Sequence, residues 1–302
     1  MEVYHNPVLL ESCIDALKIV KDGVYVDATF GGGGHSKAIL SKLGKSGRLL
    51  AFDQDKDAIN NIQKDSRFTF IHHNFRFLKR FLNYYGFSHV NGILADLGIS
   101  SHQIDQEQRG FSTRWKNSKL DMRMDEDASF DALEVFNTYE ETALNRIFKS
   151  YGELKQSRQI SKRLIRYRTS KPITKVNDIY MALDSMVAKG KENRFFAQVF
   201  QSVRIEVNKE LEVLEEFLKQ TEQVLKPGGR LVVLSYHSLE DRMVKRFIRN
   251  GFNISHEVLD VDLKWALKAL NTKPLLADIK ETESNPRARS AKLRIAEKIN
   301  NG

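Results

Sequence analysis

Val24-Tyr25-Val26-Asp27-Ala28-Thr29-Phe30-Gly31-Gly32-Gly33-Gly34-His35-Ser36 is the stretch from which the fold is read. Val24, Val26 and Ala28 read as the first strand of a parallel sheet, and Ile39, Leu40 and Leu43 follow at helical spacing. Strand, glycine turn and helix open a nucleotide-type site, because glycine lets backbone approach a ligand where a Cβ would clash. Alone, the four glycines are a weak signal, since a flexible turn between strand and helix is the other reading. The next strand adds weight: Arg48-Leu49-Leu50-Ala51-Phe52 ends at Asp53, about 20 residues past the glycines, where a carboxylate can accept from a ribose.

A nicotinamide dinucleotide is disfavoured. G-x-G-x-x-G read from Gly31 places Ser36 third, and read from Gly32 places Lys37 third. Asp27 also sits badly beside a pyrophosphate. It suits a ligand with a cationic amine and no phosphate, and S-adenosylmethionine is such a ligand.

Outward from this stretch, strands and helices alternate. Phe68–His72 and Val90–Leu94 read as the third and fourth strands, with helices marked by Ala58, Ile59 and Ile62 and by Phe75, Leu78, Phe81 and Leu82. Alternation implies a doubly wound parallel sheet whose ligands sit at the carboxyl ends of the strands. Asp27, Asp53, His72 and Asp96 fall at those ends. Asn6, before Pro7, is expected to cap a first short helix.

From about Ile104 to Ile205 the periodicity is helical. Thr138 and Glu141 spell a capping box, and Leu144, Ile147, Phe148 and Tyr151 one apolar face. The sheet resumes after a helix carrying Val207, Leu211, Leu214, Leu218 and Leu225. Arg230–Ser235 is the fifth strand, and Ala291, Leu293 and Ile295 alternate as a half-exposed last strand would. Domains are therefore expected at 1–104 with 206–302, and a helical insertion at 105–205.

The chain has 302 residues, 41% of them hydrophobic, and a net charge of +9. The charge favours an anionic partner, nucleic acid first. With Cys13 as the one cysteine no internal disulfide forms, and neither a signal peptide nor a membrane-spanning run is legible, so a cytoplasmic location and no membrane partner are expected. His72 and His73 lack partners at metal spacing, and no metal site is expected.

Several further stretches carry a resemblance. Asp27–Ser36, Asp96-Leu97-Gly98-Ile99-Ser100-Ser101, Arg109-Gly110-Phe111-Ser112, Leu120-Asp121-Met122-Arg123-Met124-Asp125, Ser235-Tyr236-His237-Ser238-Leu239-Glu240-Asp241-Arg242 and Asn285-Pro286-Arg287-Ala288-Arg289-Ser290 run in order along nearly the whole chain. They resemble the motifs of the RsmH (MraW) family of small-subunit ribosomal RNA methyltransferases. The resemblance implies a Rossmann-like α/β domain with an inserted helical domain, and methyl transfer from S-adenosylmethionine to N4 of a cytidine in 16S ribosomal RNA. The RNA would be met as an assembled particle, and a homodimer stays open.

By the same resemblance Gly33, Gly34, His35, Asp53, Phe75, Asp96 and Gln103 are cofactor positions. Phe75 reads equally well as a core aromatic. Asp96, at a strand end beside the cofactor, and His237, at the end of the fifth strand, are the catalytic candidates. Glu240 and Asp241 stand beside His237, although Ser238 and Asp241 also spell a helix cap. Departures fall at Arg194-Phe195-Phe196-Ala197-Gln198, where the family usually shows His-Pro-Ala-Thr-Arg, and at His102, where proline is usual.

RNA is expected on the insertion's basic helix. Arg158, Lys162 and Arg166 share one face, Arg163, Arg168, Lys171 and Lys175 extend the charge, and Glu153 is the one local opponent. Arg287, Arg289, Lys292 and Arg294 form a second basic cluster. An amine methyltransferase acting on DNA or protein, a non-catalytic RNA-binding assembly factor, and an NAD oxidoreductase are the competing alternatives.

Overall fold

Val24–Asp27, Arg48–Asp53, Phe68–His72 and Val90–Asp96 form β1 to β4 of a computed structural model that describes residues 7–187, 189–252 and 265–300. Leu225–Ser235, Leu267–Ala269 and Lys292–Lys298 follow as β5 to β7. The sheet order is β3-β2-β1-β4-β5-β7-β6. Strands β1 to β5 pair in parallel, and β7 runs antiparallel to both β5 and β6. Strand order reverses between β1 and β4, and such a switch point opens a crevice at the carboxyl edge. The inner strands read as apolar runs because both faces are covered. Val26, Phe52, Ile93 and Phe217 pack on one side of the sheet, and Ile39, Leu49, Leu94 and Leu234 on the other.

The chain divides into two compact units, Met1–Gly98 with Glu212–Gly302, and Ile99–Leu211. The breaks fall six residues outside the 105–205 segment expected from periodicity on each side. Among the described residues the second unit holds helices and no strand beyond an isolated bridge between Lys119 and Lys175. Phe136, Phe148 and Phe196 are fully buried in its core. Its motif residues are braces. Arg109, 3% exposed, donates from Nη2 to the carbonyls of Arg123 and Met124 at 3.0 and 3.2 Å, and Arg123 is bidentate on Asp121. Gly110 has φ +69°, and a Cβ there would collide with the Lys119 carbonyl, so these two segments lie against each other only with glycine.

Local expectations are corrected in five places. Thr138 does not open a helix. It ends helix Ala132–Thr138, its hydroxyl donating to the Glu134 carbonyl at 2.7 Å, and helix Glu141–Ser150 begins without a side-chain cap. The helix expected from Val207 to Leu225 is broken at Lys209, which has φ +50° and separates Glu192–Asn208 from Glu210–Val224. Ser238 is not a cap: His237 holds that position for helix Ser238–Asn250, in a capping box with Glu240.

Asp241 is not a cap either, because its carboxylate receives Arg294 Nε at 2.6 Å and Nη2 at 3.2 Å. The last strand, finally, is not half-exposed. Short β6 pairs with Ala296 to Lys298, Leu275 bridges Leu293, and Leu293, Arg294, Ile295 and Ala296 are all buried. Asn6 lies outside the described residues.

Candidate cofactor site

Gly31 to Gly34 carry the chain from β1 into helix Gly34–Lys42, with Gly33 as its left-handed N-cap at φ +75°. A Cβ on Gly33 would stand 2.9 Å from the Phe30 ring. The loop therefore keeps its shape only with glycine, and its Gly33 amide donates to the Phe30 carbonyl at 2.8 Å.

Three strand-end carboxylates surround this loop, and the structure gives them different work. Asp27 is 1% exposed. It accepts the Ser36 hydroxyl at 2.6 Å and the Thr29 amide at 3.1 Å. Burial pushes its carboxyl up, with His35, Ser36 and Thr29 opposing. Each oxygen accepts one bond from within the glycine turn and its helix, so Asp27 braces the loop.

Asp53 accepts the Gly31 amide at 2.7 Å on Oδ2 and the Asp55 amide at 2.9 Å on Oδ1, which ties the end of β2 to the glycine loop. Each oxygen keeps a second lone pair for a hydroxyl donor. Burial pushes its carboxyl up to about 6, against the two amides that favour the ionised form.

Asp96 ends β4 with a side chain 23% exposed. Oδ1 accepts the Tyr236 hydroxyl at 2.6 Å, and Oδ2 lies 3.8 Å from His35 Nδ1. Its own amide donates to Thr29 Oγ1 at 2.7 Å. Burial pushes the carboxyl up, while His35 and Tyr236 act the other way. His35 is itself buried, with Nε2 at 3.2 Å from the Val8 carbonyl.

The remaining candidates are distributed more widely. Phe75 is half-buried, edge-on to Phe217 at 5.0 Å, and packs against the core. His237 is engaged by Glu240: Nδ1 accepts the Glu240 amide at 3.4 Å, and Nε2 lies 3.1 Å from Oε1. Gln103 belongs to the second unit, where its side chain and Ser100 form a capping box.

Arg294 is removed from the second basic cluster, since it is 6% exposed and committed to Asp241. Lys292 Nζ lies 3.7 Å from the same carboxylate. Of the departures from the family pattern, Phe196 is buried and stacked 3.6 Å from the Tyr180 ring. Gln198 donates to the Gly152 carbonyl at 3.0 Å.

Sequence reading gave no role to Tyr236 or Ser36. The signal for Tyr236 was available, because it directly follows a strand that ends at the ligand edge.

Two fits to an S-adenosyl donor can be checked on these residues. The glycine cradle gives close backbone approach, and two partly open carboxylates, Asp53 and Asp96, suit ribose hydroxyls and an ammonium. No phosphate is present in such a ligand to be repelled by them.

Residues 2–299 match the MraW methylase family profile. The chain belongs to the MraW methylase family. It is a methyltransferase, and S-adenosylmethionine is the cofactor. The chain is similar to ribosomal RNA small subunit methyltransferase H of Christiangramia forsetii, 50% identical over 298 residues that cover 98% of each chain. It is 49% identical over 300 residues to the enzyme of the same name from Phocaeicola vulgatus, again covering 98% of each. A solved structure, a putative rRNA-methylase from Clostridium thermocellum, superposes with a TM-score of 0.47 at 16% identity, covering 98% of this chain and all of that one. Among the described residues no helix is long and apolar enough to cross a membrane.

Proposed function

We propose that this chain transfers a methyl group from S-adenosylmethionine to the N4 amine of a cytidine in small-subunit ribosomal RNA. Full-length likeness to enzymes named for that RNA carries the proposal. The strand-edge carboxylates Asp53 and Asp96 supply a compatible site. Mass spectrometry of ribosomal RNA nucleosides from cells with and without the gene tests it. Loss of N4-methylcytidine is the expected result, and an unchanged nucleoside profile overturns it. The substrate is an assembled small-subunit particle, which should be methylated faster than the free RNA.

Bound there, the cofactor would supply an electrophilic methyl carbon, with its thioether as the leaving group as the acceptor nitrogen takes the methyl and sheds a proton. The chain's contribution is alignment and exclusion of water. Asp53 holds the ribose hydroxyls, the glycine loop approaches the methionine end, and Asp96 receives an amine. Cytosine N4 is a weak nucleophile because its lone pair is delocalised into the ring. A carboxylate that accepts its hydrogens favours the pyramidal form reached in transfer.

Asp53→Ala is expected to weaken S-adenosylmethionine binding by about 1.5–3 kcal/mol, the scale of a hydrogen bond to a charged group. The wild-type affinity should level off about one pH unit above 6 and fall as pH drops through about 6, where the Asp53 carboxyl protonates and loses acceptor capacity. Calorimetry across this range checks both results. Unchanged affinity in the folded variant removes Asp53 from the ribose site.

The RNA surface is assigned to helix Ser157–Ser170. Arg158, Lys162 and Arg166 are exposed there and make no ion pair within the described residues. Their neighbours are already occupied: Arg168 donates to the Phe136 carbonyl at 2.8 Å, and Lys171 pairs with Asp178 at 3.0 Å. Replacing Arg158, Lys162 and Arg166 together by Gln is expected to lower the slope of log affinity against log salt by about 0.9 per lost phosphate contact. S-adenosylmethionine binding should not change. A wild-type salt slope moves the contact surface elsewhere.

A further inference from the structure

We propose that Tyr236 is a positioning residue for methyl transfer: its hydroxyl fixes the Asp96 carboxylate through Oδ1 and leaves Oδ2 as the oxygen available to a reacting or donor amine. This rests on Asp96 belonging to the transfer site, as in the proposed function.

The placement follows from strand register. Strands β4 and β5 pair in parallel with Asp96 opposite Leu234, and the Leu97 amide donates to the Leu234 carbonyl at 3.0 Å. Residue 236 therefore emerges just beyond the tip of β4. The backbone at Tyr236 is then clamped from below. Glu240, 3% exposed, accepts the amides of Tyr236 and His237 on Oε2 at 2.9 and 3.3 Å. The ring packs against the buried cluster that contains Cys13, Leu94 and Leu234. A ring held at its backbone and flank delivers its hydroxyl to one point, and that point is Asp96 Oδ1 at 2.6 Å.

The terminal torsion of an Asp carboxylate is broad and roughly two-fold unless one oxygen is held. Tyr236 holds one. His35, at 3.8 Å from the other, is buried and fixed in turn by the Val8 carbonyl. The phenol is suited to this work because burial and the facing Asp96 push it well above its usual value. It stays protonated, hence a donor, wherever the enzyme is active.

The charged and titratable groups facing Asp96 are His35 from helix Gly34–Lys42, Asp27 from β1, and Tyr236 and Glu240 from the end of β5 and the helix after it. Cys13, from helix Leu10–Leu17, faces Tyr236. Burial, Asp27 and Glu240 favour a protonated Asp96, and His35 and the Tyr236 hydroxyl favour the ionised form. Without the hydroxyl, Asp96 should take up its proton at higher pH, and its rotation should be freed.

The test compares the wild type, Tyr236→Phe and Asp96→Asn as full chains. Single-turnover methylation of small-subunit particles at saturating S-adenosylmethionine is followed from about pH 5 to about pH 9, with thermal unfolding measured alongside. Tyr236→Phe should slow transfer roughly 10-fold near neutral pH, the scale of about 1.4 kcal/mol. It should also move the acid limb of the profile upward and recover part of the rate at the alkaline end. A Tyr236→Phe profile superposed on the wild type, while Asp96→Asn is slow, overturns the role of Tyr236 alone. A uniform loss at every pH together with a lowered unfolding temperature also overturns it, since a merely structural contact does that. A wild-type rate in Asp96→Asn overturns both the site and the positioning role of Tyr236.

Discussion

Asp96→Asn is expected to slow single-turnover methylation by about 10²–10³-fold, the loss typical of removing one preorganised electrostatic contact at a reacting centre. The substitution keeps a carbonyl that can still accept from Tyr236, so the strand end should stay in place. What disappears is the charge. If the carboxylate mainly holds the cationic methionine end, the dissociation constant for S-adenosylmethionine should also rise about 10- to 100-fold, as for a lost charge-assisted bond. If it mainly orients the cytosine amine, cofactor affinity should stay constant while the rate falls. The first pattern is expected, because the resemblance to the family puts this position at the cofactor. Calorimetry and rapid-quench methylation on the same preparation separate the two, and a variant normal in both removes Asp96 from the site.

A second large effect lies away from the chemistry. Asp241→Ala should destabilise the sheet-bearing unit by about 3–5 kcal/mol, because it leaves the Arg294 guanidinium buried without its counter-charge. For a unit of this size that corresponds to a fall of about 6–20 °C in unfolding temperature. Replacing both partners, Asp241→Leu with Arg294→Met, should recover most of the loss, since the apolar pair leaves nothing unsatisfied. S-adenosylmethionine affinity of the folded protein should be unchanged in each. An Asp241→Ala variant that is as stable as the wild type but binds RNA poorly would return Arg294 to the RNA surface, where its sequence context had placed it.

Asp241 and Arg294 show why a basic cluster is hard to read from a linear chain. Arg287, Arg289, Lys292 and Arg294 look alike in the sequence, yet Arg294 is buried and Arg289 exposed. What separates them is helix Ser238–Asn250, whose Asp241 receives the Arg294 guanidinium from 53 positions away, a contact that local alternation does not announce. The same limit applied to the caps. Ser238 and Thr138 fit the local pattern, but His237 took the first role because the Glu240 carboxylate folds back onto the Tyr236 and His237 amides. Thr138 instead spends its hydroxyl on the carbonyl one turn earlier.

The doubly wound sheet was determined by the sequence alone, since five apolar strand runs, the glycine turn after β1 and the alternation of periods are local features of the chain. So was the position of Asp27, Asp53 and Asp96 at strand ends, because an acidic residue closing an apolar run is visible without a partner. Their division of labour was decided only by the tertiary structure. Asp27 is sealed by Ser36 and Thr29, Asp53 is tied to Gly31, and Asp96 is left partly open with one oxygen held by Tyr236. Burial and hydrogen bonding across residues far apart in the chain make that distinction. Tyr236 lies 140 positions from Asp96, and strand register alone brings the two together.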